Sequence, residues 1–146
     1  HACFHTKWKG EYEAGRLDIS GRYTSSTLMY QMCRLSKDRW DGYIAWANDY
    51  GRVKRGLPGP ALVRCLSMPL DISRSWLTRR YEENKGSRDI HESNLQFLRD
   101  CSETAAYTAR KLHWHVIDCA RNGEARGIED IHKEIIETIV NKLERR

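Results

Sequence analysis

Two short apolar runs limit the folds open to this chain. Ala61-Leu62-Val63-Arg64-Cys65-Leu66 and Trp114-His115-Val116-Ile117-Asp118 have strand length and are bounded by turn-forming residues. The first follows a Gly- and Pro-rich loop, Gly51 to Pro60, and ends at Ser67-Met68-Pro69. The second leads into a turn over Asn122 to Arg126. Leu17 to Ser20 is a third, shorter strand candidate, and Asp18 suits it poorly to a buried parallel sheet. Helical periodicity fills the rest. Cys3, Phe4, Trp8 and Tyr12 mark an amphipathic helix over 3–14, with Gly15 where a C-terminal glycine belongs. A helix capped by Ser25 or Ser26 runs to about Cys33, and another covers Ser36 to Tyr50 with Trp40, Tyr43, Ile44, Trp46 and Ala47 as its apolar face. Further helices span Asp71 to Tyr81 (Ile72, Trp76 and Leu77 inward), Ile90 to Leu112 (Leu95, Leu98, Cys101, Ala105 and Ala109 on one stripe) and Ile128 to Leu143. Strands alternating with helices predict an α/β fold with a mainly parallel sheet.

The length, 146 residues, suits a single domain with its own core, residues 1–146. Lys and Arg number 25 against 20 Asp and Glu, a balance that fits an anionic ligand. The basic residues are spread along the chain, so charge alone does not separate a nucleotide from a nucleic acid. No apolar run is long enough to cross a membrane. The five cysteines are widely spaced without a CxxC pair, which predicts thiols in a reducing cytoplasm and no zinc or redox site. His113 and His115 would share a strand face but have no third ligand nearby, so no metal site is expected there.

Gly21-Arg22-Tyr23-Thr24-Ser25-Ser26-Thr27-Leu28-Met29-Tyr30-Gln31 concentrates the chemistry. An arginine fork suits a phosphoryl group, and hydroxyls and an amide suit a phosphate, sugar or base edge. If Leu17 to Ser20 is a strand, Arg22 stands at the carboxyl edge of a sheet, where α/β folds bind ligands. Its plain alternative is a surface ion pair. That of Ser26 is a helix cap, and that of Tyr30 a core aromatic. Tyr23 reads as a packing residue with a secondary role at the site.

This run resembles the D-R-[Y/H]-x-x-S-x-x-x-Y-Q motif of thymidylate kinases. Other pieces keep the family order. Gly56-Leu57-Pro58-Gly59-Pro60-Ala61-Leu62-Val63 is similar to G-L-P-x-P-D-L-V, and Leu66-Ser67-Met68-Pro69 to L-D-x-P. Arg79-Arg80-Tyr81 with Asp89-Ile90-His91-Glu92 resembles a mobile lid and its D-x-x-E close. Val116-Ile117-Asp118 resembles the V-I-D-A strand end, and Ile128-Glu129-Asp130-Ile131 the closing helix. The resemblance runs from about residue 5 onward.

The resemblance implies a P-loop nucleoside-monophosphate-kinase-like parallel sheet flanked by helices, with a lid over about 79–92. It implies phosphoryl transfer from ATP to dTMP with Mg²⁺, by positioning and charge stabilisation without a covalent step. Arg22, Tyr23, Ser26, Thr27, Tyr30 and Gln31 would hold dTMP, with Tyr30 against the deoxyribose. Arg22 with Arg79, Arg80 and Arg88 would stabilise the transferring group. Arg121 and Asn122 fall where the family contacts adenine. A cytoplasmic protein is implied, and a homodimer is compatible with it; no membrane or nucleic-acid partner is expected.

The departures are as specific. No G-x-x-x-x-G-K-[S/T] run occurs, so the chain is expected to be the C-terminal part of such an enzyme, without its N-terminal strand and P-loop, and by itself weak or inactive. Gly21, Ala61 and Ser67 stand where the family has aspartates, and Arg64 lies in a strand that should be buried. The alternatives are a deoxynucleoside kinase-like enzyme and a non-catalytic nucleotide- or nucleic-acid-binding relic.

Overall fold

The structure, a computed structural model, describes residues 4–84 and 94–144. It is a mixed helix and strand chain that divides into two compact units, His1–Pro60 and Ala61–Arg146. No described helix is long and apolar enough to cross a membrane.

The regular elements of the described part of the first unit are all helical. A wide helical turn, Phe4–Trp8, runs into α1 (Lys9–Glu13). Phe4 is buried and meets the Trp8 and Tyr12 rings edge-on at 4.7 and 5.9 Å. Gly15 closes this helix at φ +79°, its N–H donating to the Tyr12 carbonyl, a left-handed conformation that glycine adopts without strain. α2 (Ser25–Tyr30) continues into a tight turn, Met32–Arg34. After a second tight turn, Lys37–Arg39, α3 (Trp40–Asn48) passes into a wider helical segment, Asp49–Lys54. Leu28 and Met32 are four residues apart, as are Trp40 and Ile44, and these pairs are the buried faces of neighbouring helices. Leu57 completes this core.

Several expectations change here. Leu17 to Ser20 forms no strand: it is irregular, with Leu17 61% and Ile19 76% exposed. Alternating apolar residues around Asp18 do not suffice without a neighbouring strand to pair with. Neither Ser25 nor Ser26 caps α2, because both lie inside it and the preceding Thr24 is already in helical geometry without a side-chain cap. The loop expected from Gly51 is helical to Lys54. Cys3 lies outside the described residues.

In the second unit, β1 (Arg64–Ser67) and β2 (His115–Asp118) pair in parallel, Arg64 opposite His115 and Ser67 opposite Asp118. α4 (Leu70–Asn84) and α5 (Leu95–Lys111) lie between them in sequence, supplying the long connection that parallel strands need. β3 (Ala120–Arg121) and β4 (Glu124–Ala125) form a hairpin through Asn122 (φ +54°) and Gly123 (φ +82°), the two positive values a tight two-residue turn requires. α6 (Ile128–Glu144) follows.

The buried stripe of α5 is Cys101, Thr104, Thr108 and Ala109, rotated from the expected one; Leu95 is exposed and Ala105 half-buried. Thr104 tolerates burial because its hydroxyl bonds back to the Asp100 and Cys101 carbonyls at 3.1 and 3.0 Å. Ile117 and Cys119 are also buried. The expected end of the helix from Asp71 moves out to Asn84, so Glu82 to Asn84 is helical rather than loop. The rest of the expected lid, with Arg88, Asp89 and Glu92, and the expected start of the long helix at Ile90 lie outside the described residues.

Candidate functional site

Arg22 and Tyr30 meet. Arg22 lies in irregular backbone just before α2, not after a strand, where the Ser20 hydroxyl donates to its carbonyl. Its guanidinium donates through Nη2 to the Tyr30 hydroxyl at 3.3 Å and sits 5.0 Å from the Tyr30 ring centroid. Tyr30 is therefore a half-buried ring carrying an arginine, not a closed core aromatic.

α2 explains the grouping. Leu28 and Met32 turn to the core. Ser26, Thr27, Tyr30 and Gln31 fall on the other side at i, i+1, i+4 and i+5, with Ser26 half-buried and Thr27 and Gln31 exposed. The result is an exposed arginine, two hydroxyls, an amide and a tyrosine along one helix face. Such a face can grip a phosphoryl group and pack against a sugar-sized ring.

Tyr23 turns elsewhere. Its hydroxyl donates to the Pro58 carbonyl at 3.0 Å, and its ring is 6.1 Å from Trp8. Burial, then the neighbouring Tyr12, raises its pKa above the ordinary phenol value. It ties the Gly- and Pro-rich loop to the start of α2.

The remaining candidates lie in the second unit. Arg79 is exposed on α4 and Arg80 is on the same helix. Arg121 is exposed in β3, opposite Glu124, and Asn122 forms the hairpin turn. Arg64 is half-buried in β1. Its Nε is buried with no hydrogen-bond partner among the described residues, and desolvation lowers its pKa. Burial raises the Cys65 and Cys119 thiols above their ordinary value. Among the described residues no group of three His, Cys, Asp or Glu side chains is placed to hold a metal ion.

Two features escaped the sequence reading. Arg126 donates to the Asp118 carbonyl at 2.7 Å and pairs with Glu134 at 2.8 Å, tying the end of β2 to α6. Nothing in the spacing of Arg126, Asp118 and Glu134 marks that clamp. Trp46, assigned to a core face, is 53% exposed, and Trp76 is exposed as well. Tyr43, Trp46 and Tyr50 fall at i, i+3 and i+7, a spacing that could have marked a shared stripe including Tyr50, but spacing does not say whether a stripe is covered.

Comparison with protein-family models, with curated proteins and with solved structures finds no match to this chain.

Proposed function

We propose that the first unit binds a deoxynucleoside monophosphate, dTMP, as the acceptor side of a thymidylate kinase-like phosphoryl transferase. The observation that carries this reading is the Arg22–Tyr30 pair, a phosphate-gripping cation lying over an aromatic ring on an exposed polar helix face. Arg22 takes the 5′-phosphate through its planar fork, and Ser26 and Thr27 add hydroxyl donors. Tyr30 packs under the deoxyribose, where a 2′-hydroxyl would crowd it. Gln31 reaches the base edge. The order of the G-L-P, L-x-x-P and V-I-D pieces along the chain supports the same reading.

ATP and Mg²⁺ belong to the full reaction of such enzymes, with ATP supplying the phosphoryl group. The residues present do not fit the metal at the motif's first position, because Gly21 carries no carboxylate. The chain also has no G-K-[S/T] phosphate cradle. Lid arginines Arg79, Arg80 and Arg88 would serve the transferring group only in a complete site.

Calorimetry and thermal shift with dTMP, thymidine and UMP test the proposal. dTMP is expected to bind and raise the melting temperature, with thymidine and UMP weaker. Arg22→Ala should cost about 10–100-fold in dTMP affinity, the scale of a charge-assisted phosphate contact. These 146 residues alone should convert little dTMP to dTDP. Equal binding of dTMP and thymidine, or no loss in Arg22→Ala, would sink the acceptor reading.

A further inference from the structure

A second surface of the first unit lies outside that reading. Tyr43, Trp46 and Tyr50 project from one stripe of α3 and its continuation. The Tyr43 and Trp46 rings are 5.4 Å apart and tilted, and those of Trp46 and Tyr50 are 5.4 Å apart and stacked within 14° of parallel. Trp46 is 53% exposed and Tyr50 38%, so the ladder is not buried in the core formed by Trp40 and Ile44. An exposed row of large rings is costly to leave in water and marks a surface of contact.

Arg55 caps one end of the ladder, and Arg52 and Lys54 lie close to it in sequence. Arg55 donates from Nε to the Tyr50 hydroxyl at 2.9 Å and from Nη2 to the same oxygen, with its guanidinium 4.9 Å from the ring centroid. Arg52 lies against the Gly59 backbone so closely that a Cβ there would stand 3.0 Å from its Cζ. Backbone bonds from Arg55 to Tyr50 and from Leu57 to Gly51 fix the turn that holds both. Lys54 is within 3.9 Å of Asp49, so that carboxylate is partly neutralised. Between Arg34 and Arg55 six Lys and Arg stand against three Asp.

We infer that the Tyr43–Trp46–Tyr50 ladder, with Arg52 and Arg55, is a binding surface for single-stranded nucleic acid. Stacked rings offer aromatic faces to unpaired bases of any sequence, and the adjoining arginines meet the phosphates. Charge complementarity favours a polyanion over an apolar helix as the occupant. A duplex does not fit, because its base faces are already stacked.

Fluorescence anisotropy of labelled oligo-dT and oligo-U on the full chain tests this, with a duplex of equal length as the comparison. The single strands should bind, quench tryptophan emission and outcompete the duplex; the two arms report whether the sugar matters. Trp46→Ala should weaken binding at least about fivefold while Trp46→Phe, which keeps a ring, retains most of it. Arg52→Gln with Arg55→Gln should remove about 1.4 from the log–log salt slope, at about 0.7 per phosphate contact. Both tryptophan variants should keep the native circular dichroism and dTMP binding. No single-strand binding at low salt, equal binding of duplex, or binding indifferent to Trp46→Ala would overturn the inference. So would a ladder-dependent dimer in light scattering that Trp46→Ala dissolves without changing oligonucleotide binding.

Discussion

Among the described residues of 1–60 the buried side chains are large: Phe4, Leu28, Met32, Trp40, Ile44 and Leu57. Among the described residues of 61–146 most are small: Cys101, Thr104, Thr108, Ala109 and Cys119, with Ile117 the bulky exception. Short helices with no strand among them must hold together through bulky side chains, since little backbone is paired between segments. A parallel strand pair with helices between its strands has a ladder to hold it, and small residues let backbone segments approach. The candidate acceptor face and the aromatic ladder both belong to the unit that relies on side chains, and both use rings that its core leaves over.

The sharpest way to break this contrast is to truncate the bulk. Trp40→Ala removes a buried indole whose N–H also donates to the Leu35 carbonyl at 3.1 Å, and should cost about 3–5 kcal/mol. Ile117→Val in the strand pair should cost only about 0.5–1.5 kcal/mol. Urea denaturation of each variant, with amide signals of both units followed separately, checks the pair. Similar losses would mean that the two cores depend alike on side-chain volume.

Ion pairs separate the units in the opposite sense. In the first, Arg16 and Glu11 are 2.9 Å apart but both exposed, so solvent screens them. In the second, Arg126 is mostly buried and holds both Glu134 and the Asp118 carbonyl. Arg126→Ala should cost about 1–3 kcal/mol, and Arg16→Ala no more than about 1 kcal/mol. Adding salt during denaturation should shrink the Arg16 effect further and leave most of the Arg126 effect. An Arg126 loss that salt erased would place it with ordinary surface pairs.

Periodicity and turn chemistry made much of this structure legible. The strand runs at Arg64 and His115 and the Gly15 helix end follow from local residue types, and the parallel pairing of the two runs from the helices between them; of the turn expected over Asn122 to Arg126, Asn122-Gly123 is the turn and Glu124–Ala125 is a strand. Burial did not follow as well, because it depends on what covers a face. The stripe of α5 shifted to threonines that an apolar count ignores, and Trp46 and Trp76 stayed in solvent although their spacing suits a core. At the candidate site, Arg22 and Tyr30 were readable as chemistry eight residues apart. Their contact was not, because the strand expected to fix Arg22 does not form.

The smallest contrast concerns how helices begin. Asn94 has extended backbone, and its Oδ1 accepts from the Phe97 N–H at 3.0 Å, satisfying one of the donors at the start of α5. Thr24 precedes α2 at φ −54° and ψ −27° with no side-chain cap, and the first N–H groups reach backbone oxygens instead, Ser26 to Tyr23 and Thr27 to Thr24. Asn94→Ala should therefore cost about 1 kcal/mol, and Thr24→Ala less than about 0.5 kcal/mol. Ser25→Ala should be equally mild, although the sequence offers Ser25 as a cap, because it already lies inside the helix. Melting curves of the three variants check the order. Equal losses at 24 and 94 would mean that Thr24 caps in solution, and that the first unit specifies its helix starts as the second does.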